Sequence, residues 1–244
     1  VIDMTKWGEY YSSPQVINNI AFQCRYREVV IIQQKDDKKI TLRPIKIFKP
    51  EHVEFWLERL NLKTTLFDFY ISNASVKLPQ LPSDIYKLKE TRVYLNEHWN
   101  ELLTGYDIFA DIDIEKEEDR VKAKEYAIKI YNKLVLTGYS KTEIWDTSRG
   151  FHIFDKGAFK PEFVRDLIMD ICLEMDIPMS YPVKTIDGER YLAKDKKWVK
   201  MKPKEDVPDV PKPNSDTSIW DIRRIRRVPF SLHSKTGKPM VRIQ

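Results

Sequence analysis

Hydrophobic and polar positions alternate most cleanly over residues 106–115, YDIFADIDIE. A period of two is that of an extended strand, which puts Asp107, Phe109, Asp111 and Asp113 on one face and Ile108, Ala110, Ile112 and Ile114 on the other. Upstream, residues 5–22 read as a helical or mixed opening with Trp7, Tyr10, Tyr11, Val16, Ile17, Ile20 and Phe22 as its apolar surface. Residues 27–33 and 40–48 are β-rich runs around the charged stretch 34–39, QKDDKK, a hairpin pattern with a longer loop. Pro50 opens a helix in which Val53, Trp56, Leu57 and Leu60 recur at helical spacing. Residues 64–72 read as a strand, Pro79 and Pro82 break the chain, and 84–104 has room for a helix.

Past the alternating strand, residues 117–137 carry Ala123, Ala127, Ile130, Tyr131 and Leu134 as one buried helical stripe. Glu117, Glu118 and Asp119 suit its positive end and Gly138 ends it. A short strand over 143–145 runs into TSRGFHIF, and Pro161 opens a second helix with Phe163, Leu167, Ile168, Ile171, Cys172 and Met175 facing inward. This strand–helix–strand–helix order predicts a layered α/β or α+β lobe. Residues 176–215 break the pattern. The basic run 194–204 and Pro203, Pro208, Pro211 and Pro213 predict a loop or connector, with Trp198 as a stacking surface if it orders on nucleic acid.

Composition narrows the class. With 244 residues, 42% hydrophobic and 32% charged, the chain has a globular composition with room for one large domain or two lobes. No run approaches the ~20 apolar residues of a membrane helix, and the opening residues lack the order of a secretory signal. Cys24 and Cys172, far apart, supply neither a disulfide framework nor a four-cysteine zinc site, so no structural zinc is expected and a reducing, cytoplasmic setting is. The net charge of +5 is a weak pointer to nucleic acid. Its distribution says more, because acids gather at 101–119 while bases gather at 194–204 and 223–227. The chain opens on Val1 and stops soon after its richest motif, and a piece of a longer polypeptide is expected.

Three stretches carry chemistry. Asp111 and Asp113 place two carboxylates side by side, and like charges at close range raise each other's pKa unless a cation lies between them, commonly a divalent metal. The plainer alternative is an edge strand kept soluble by its acids. In the stretch 147–152, TSRGFH, Gly150 permits close backbone approach to a ligand, and Ser148, Arg149 and His152 offer a hydroxyl, a forked cation and an imidazole that could hold a phosphate. A histidine so placed is ordinarily a structural donor. If 218–227 is helical, Ile222 and Ile225 point inward while Arg223 and Arg227 share an outer face. His233 and Lys235, two apart, aim at one point from an extended segment and suit a triphosphate beside a metal centre.

FADIDIE, SRGFH and DIRRIRRVPFSLHSKTG, in that order, resemble the three motifs of the archaeo-eukaryotic primase superfamily, closest to the archaeal small catalytic subunit or a plasmid- or virus-borne primase-polymerase. Tyr10-Tyr11, the stretch from Arg27, and FYISNASVKLP fit the family's amino-terminal half. The resemblance implies an α+β, two-lobed catalytic core with an RRM-like sheet carrying the carboxylates, divided here into 1–105 and 106–244. It implies that Asp111 and Asp113 bind two Mg²⁺ or Mn²⁺ ions with a third acid, Asp216 as first choice and Asp221 as second. Ser148, Arg149, His152, His233 and Lys235 would meet the nucleotide's phosphates. Arg224 and Arg227 match the family's two arginines, in nucleotide contact or structural support. Two residues that the second motif usually has between serine and glycine are missing here, and so is the family's zinc-binding cysteine cluster.

The expected activity is template-directed nucleotidyl transfer, making primers on single-stranded DNA from rNTPs or dNTPs, with a large subunit or a fused domain as a further partner and no membrane involvement. A two-metal nuclease and a non-catalytic single-stranded nucleic-acid-binding module are the rival expectations.

Overall fold

The structure is a computed structural model and describes residues 2–35, 38–61, 65–77, 88–180, 183–186, 189–194, 197–202, 206–216 and 224–244. The amino-terminal opening is two helices, α1 (Met4–Tyr11), capped by the Asp3 carboxylate, and α2 (Pro14–Cys24), with Pro14 in its first turn. They cover one face of an antiparallel sheet built from β1 (Val29–Lys35), β2 (Lys38–Ile45) and β3 (Leu66–Ser72), with α3 (Pro50–Arg59) packed beside α2. The β1–β2 strands run further toward each other than the charged stretch 34–39 predicts. Trp7, Tyr11, Ile20, Val53, Trp56, Phe67 and Phe69 fill this first core.

The second core is organised on β5 (Leu103–Asp113), which follows two helices, α4 (Leu88–Glu97) and α5 (Trp99–Leu102). From there the chain runs through a 3-10 turn (Glu117–Asp119), α6 (Arg120–Leu136), β6 (Glu143–Asp146), β7 (Gly150–Phe159), α7 (Pro161–Glu174) and, later, β11 (Asn214–Ser215). The strands lie in the order β11-β5-β7-β6, all antiparallel, with α6 and α7 packed on one face. That is a βαββαβ unit with the split order of an RRM-like sheet. Ile108, Ala110 and Ile112 face the helices and are fully buried with Ala123, Ile130, Leu134, Ile168 and Ile171, as the alternation predicts. The stripe on α7 is narrower than expected, since Phe163 is 44% exposed and only stacks on Phe159.

Two segments differ from the sequence reading. Within 176–215 the chain forms a small antiparallel sheet of β8 (Val183–Ile186), β9 (Glu189–Lys194) and β10 (Lys197–Lys200), which takes in Trp198, while 206–213 is irregular. The arginine run is not a helix in its described part: Ile225–Arg227 is a strand, β12, paired with β3 at the edge of the first sheet. Periodicity misleads there because a strand buried on both sides by charged partners has no apolar alternation. Arg223 and Asp221 lie outside the described residues. Two short strands complete the fold, β4 (Ala74–Val76), which pairs with β5, and β13 (Val241–Arg242), which pairs with β6. Among the described residues no helix is long and apolar enough to cross a membrane.

Candidate active site

The face of β5 turned away from the helices carries Asp107, Phe109, Asp111 and Asp113, and the two ends of that row have different fates. Asp107 is fully buried. Arg27 and Arg226 reach its carboxylate at 2.7 and 2.6 Å, and the Gly157 amide donates to it at 3.2 Å. Burial alone would raise its pKa, but the two guanidinium groups overcome that and hold it below the usual aspartate range. Arg226 also donates to the Asn73 side chain and lies over the Phe154 ring at 4.5 Å. This is a neutralising structural seam between the two sheets.

The other end of the row is the site. Asp111 pairs across the ladder with His152, and Asp113 with Gly150 on one side and Asn214 on the other. The Asp216 amide donates to the Asp111 carbonyl at 2.8 Å, so β11 delivers Asp216 beside Asp111. Burial raises the Asp111 pKa well above the aspartate range, and the neighbouring Asp113 and Asp216 charges raise it further, only partly offset by Arg224 and Lys212. Asp216, distant in the chain from the other two acids, therefore meets them. Two carry side-chain cations: Lys212 reaches Asp113 at 3.0 Å, and Arg224 is ion-paired with Asp216. Lys212 had no signal in the sequence beyond its place in a proline-rich stretch.

His152 is 7% exposed, edge-on to Phe109, with Nε2 3.5 Å from Asp111 Oδ1. Burial lowers its pKa well below the usual histidine value, and Arg227, Arg226 and Arg224 lower it further, so the ring is neutral. The structure sets it against the acids, inside the wall of the site. Gly150 has a use other than the one read from the sequence. With φ +151°, a Cβ there would stand 2.1 Å from the Ile112 carbonyl oxygen, so the close approach is to β5 and not to a ligand.

Two loops flank the acids. Ser148, at φ 64°, donates its amide to Asp146, and Arg120 clamps Asp146 and the Ser148 carbonyl. This leaves the Arg149 guanidinium exposed, with no polar partner among the described residues. The second loop is the turn 233–237, closed by Thr236 and Gly237 amides on the His233 carbonyl. Ser148 Oγ and Thr236 Oγ1 lie 2.9 Å apart and tie the loops together. The Lys235 amide donates to His233 Nδ1 at 3.1 Å, which leaves the ring proton on Nε2. Burial, with Arg227 nearby, lowers the His233 pKa to about 4, so it too is a neutral donor near pH 7. Arg227 is buried, not on an outer helical face. It donates to the Thr147 carbonyl, while its Nε and Nη1 have no hydrogen-bond partner among the described residues.

No family model and no curated protein matches this sequence. Among solved structures, the chain is similar to the polymerase domain of Mycobacterium tuberculosis Ligase D in complex with DNA, with a TM-score of 0.61 and 9% identity, over 99% of this chain and 80% of that one. The chain shares the mixed α+β fold of that polymerase domain. At that identity the likeness speaks for the fold and for no single residue. In this chain Asp111, Asp113, Asp216, His152 and Arg224 lie together, and the loops that bear Ser148 and Arg149 and that bear His233 and Lys235 are tied to each other, with Arg227 bound to the first. Asp221 lies outside the described residues.

Proposed function

We propose that this chain is a template-directed nucleotidyltransferase of the primase-polymerase type, joining nucleoside triphosphates on single-stranded DNA. A 3′-hydroxyl oxygen attacks the α-phosphorus; the O3′–Pα bond forms, the bond from Pα to the leaving oxygen breaks, pyrophosphate departs and the hydroxyl proton passes to solvent. The observation that carries this reading is the convergence of Asp111, Asp113 and Asp216 beside two tied loops that present Arg149, His233 and Lys235.

The donor set suits Mg²⁺ or Mn²⁺, hard ions that take carboxylate oxygens, and burial first, then the charges of Asp113 and Asp216, raise the pKa of Asp111, a cost that a bound cation would relieve. Among the described residues no group of three or more His, Cys, Asp or Glu is arranged tightly enough to hold an ion as it stands, so Lys212 and Arg224 must leave Asp113 and Asp216 for metal to enter. Such ions, when bound, lower the pKa of the attacking hydroxyl and offset charge on the leaving group. His233 Nε2–H, Arg149 and Lys235 then hold the triphosphate, and the unpartnered N–H groups of Arg227 supply further donors at the floor.

The ion pairs on Asp113 and Asp216 favour one second reading, a nucleic-acid-binding module without catalysis. Labelled rNTPs and dNTPs given with an unprimed single-stranded template and Mn²⁺ decide between them. Products that grow, and that Asp111→Ala abolishes while template binding survives, support the polymerase. Template binding with no growth supports the module, and shortening of the template supports a two-metal nuclease.

A further inference from the structure

The end of α2 carries two large rings on the surface where packing does not require them. Phe22 and Tyr26, four residues apart, are each 60% exposed. Phe22 is on the outward side of α2, whose inward residues Ile17, Ile20, Ala21 and Cys24 fill the first core. Tyr26 stands in the turn that follows, at φ 58°, a left-handed conformation that a bulky side chain rarely adopts. That turn is held from both sides. The Val76 amide donates to the Tyr26 carbonyl at 2.7 Å, and Arg27 is fixed in the seam by the Ser72 and Asn73 carbonyls and by Asp107. The ring is thereby kept out of both cores and presented to solvent.

A single exposed ring is ordinary; rings set among cations that lack an acid are not. Lys156 crosses from β7 to α2, where its ammonium lies 5.4 Å from the centre of the Phe22 ring and donates to the Gln23 side chain at 2.9 Å, and the Arg25 guanidinium lies 5.9 Å from the same ring. Neither cation has a carboxylate partner among the described residues. Behind them stand Arg27 and Arg226, with Asp107 to answer both. Glu143, the other acid that acts on Lys156, is already paired with Arg242. Positive charge is therefore in excess around the rings. An apolar protein partner would bury those charges at a cost, whereas a single strand of nucleic acid offers bases to the rings and phosphates to the cations. His152, Phe154 and Lys156 follow one another on one face of β7, so the patch lies about 13 Å of extended chain from the histidine beside the acids.

Resting on the reading of this chain as one that works along single-stranded DNA, we propose that Phe22 and Tyr26 form a stacking platform for unpaired bases of the template, with Arg25 and Lys156 on its phosphates. The platform reads no sequence, since every base has a face to stack.

The test is the fluorescence anisotropy of a labelled oligothymidylate titrated with the whole chain at several salt concentrations, without nucleotide or metal. The unaltered protein is compared with Phe22→Ala, Tyr26→Ala, the two together, Phe22→Trp, and Arg25→Gln combined with Lys156→Gln. Each alanine should weaken binding by about fivefold or more, the loss of one stacked base, while Phe22→Trp keeps a ring and should stay within about twofold. The glutamine pair should make the slope of log K against log salt shallower by about 1.4, two phosphate contacts at about 0.7 each. All four side chains are on the surface, so melting temperatures should move by no more than about 2 °C. Unchanged affinity in the double alanine variant, or an unchanged salt slope in the glutamine variant, overturns the proposal. So does an equal loss for duplex DNA, which has no unpaired base to stack. Self-association that the double alanine variant loses, with strand binding intact, gives the patch to a second copy of this chain and overturns it too. The polymerase reading fails differently: a protein that holds the strand through Phe22 and Tyr26 but never extends one keeps this inference and loses that one.

Discussion

At the scale of single residues, the site is held together against its own charge. Asp111 stays ionised near pH 7 only at a cost, because its folded pKa is raised and the charged form is disfavoured relative to the unfolded chain. Asp111→Asn should therefore raise the melting temperature of the metal-free protein and at the same time abolish synthesis. Mn²⁺ should raise the melting temperature of the unaltered protein and leave that of Asp111→Asn unmoved, since a ligand stabilises only the state that binds it. A destabilised Asp111→Asn would contradict the charge argument. The two histidines act with the opposite sign. His152 and His233 have folded values below the ordinary one, so the unfolded chain takes up protons first, and stability present above about pH 6.5 is lost as pH falls toward 4. Asp111 offsets part of that loss by gaining stability on protonation. In Asp111→Asn the fall in melting temperature between pH 6.5 and 4.5 should thus be steeper than in the unaltered chain, and His152→Gln with His233→Gln should flatten it.

At the scale of elements, the β5–β7 pair decides where every acid and the first histidine stand. Gly150 ends that pair against the Ile112 carbonyl, and Gly150→Ala must either part the strands or bear a conformation that L side chains rarely adopt, at a cost of about 1–3 kcal/mol. Because Gly150 is the ladder partner of Asp113, the same change should raise the KM for nucleotide and lower kcat; unaltered kinetics would show that the register does not matter. The alternation over 106–115 made this strand legible, down to which face is buried, and the stripes of α6 and α7 were legible because each meets one apolar partner surface. The arginine strand was not: Arg226 and Arg227 are buried by Asp107, aromatic rings and a backbone carbonyl, and residues whose burial depends on remote partners leave no local period. The strands within 183–200 were hidden for another reason, since the dense charges of the basic run 194–204 and the prolines that follow it read as a connector. Asp216 was legible only through the resemblance, whereas Lys212 becomes visible once the strands are placed.

At the scale of the whole molecule, two hydrophobic cores share one chain that crosses between them. β4 leaves the amino-terminal half to extend the second sheet, and β12 returns from the carboxy-terminal half to extend the first, with Val228 and Leu232 in the first core and Met240 in the second. The seam where they meet is polar: Arg27 from the end of α2, Asn73 after β3, Asp107 on β5 and Arg226 on β12. One carboxylate there answers two guanidinium groups in a dry setting, so removing it leaves like charges facing each other without solvent. Asp107→Ala should cost about 3–5 kcal/mol, the penalty for breaking a buried ion pair from one side. The loss should also be felt at a distance, because the seam joins β5, which carries Asp111, to β12 and to the turn after β3. Urea unfolding followed by tryptophan emission and by far-ultraviolet circular dichroism should give coincident curves for the unaltered chain and separated ones for Asp107→Ala, while the KM for nucleotide rises although Asp107 touches none. Coincident curves in Asp107→Ala, with a loss under 1 kcal/mol, would mean that the crossing strands alone couple the two cores.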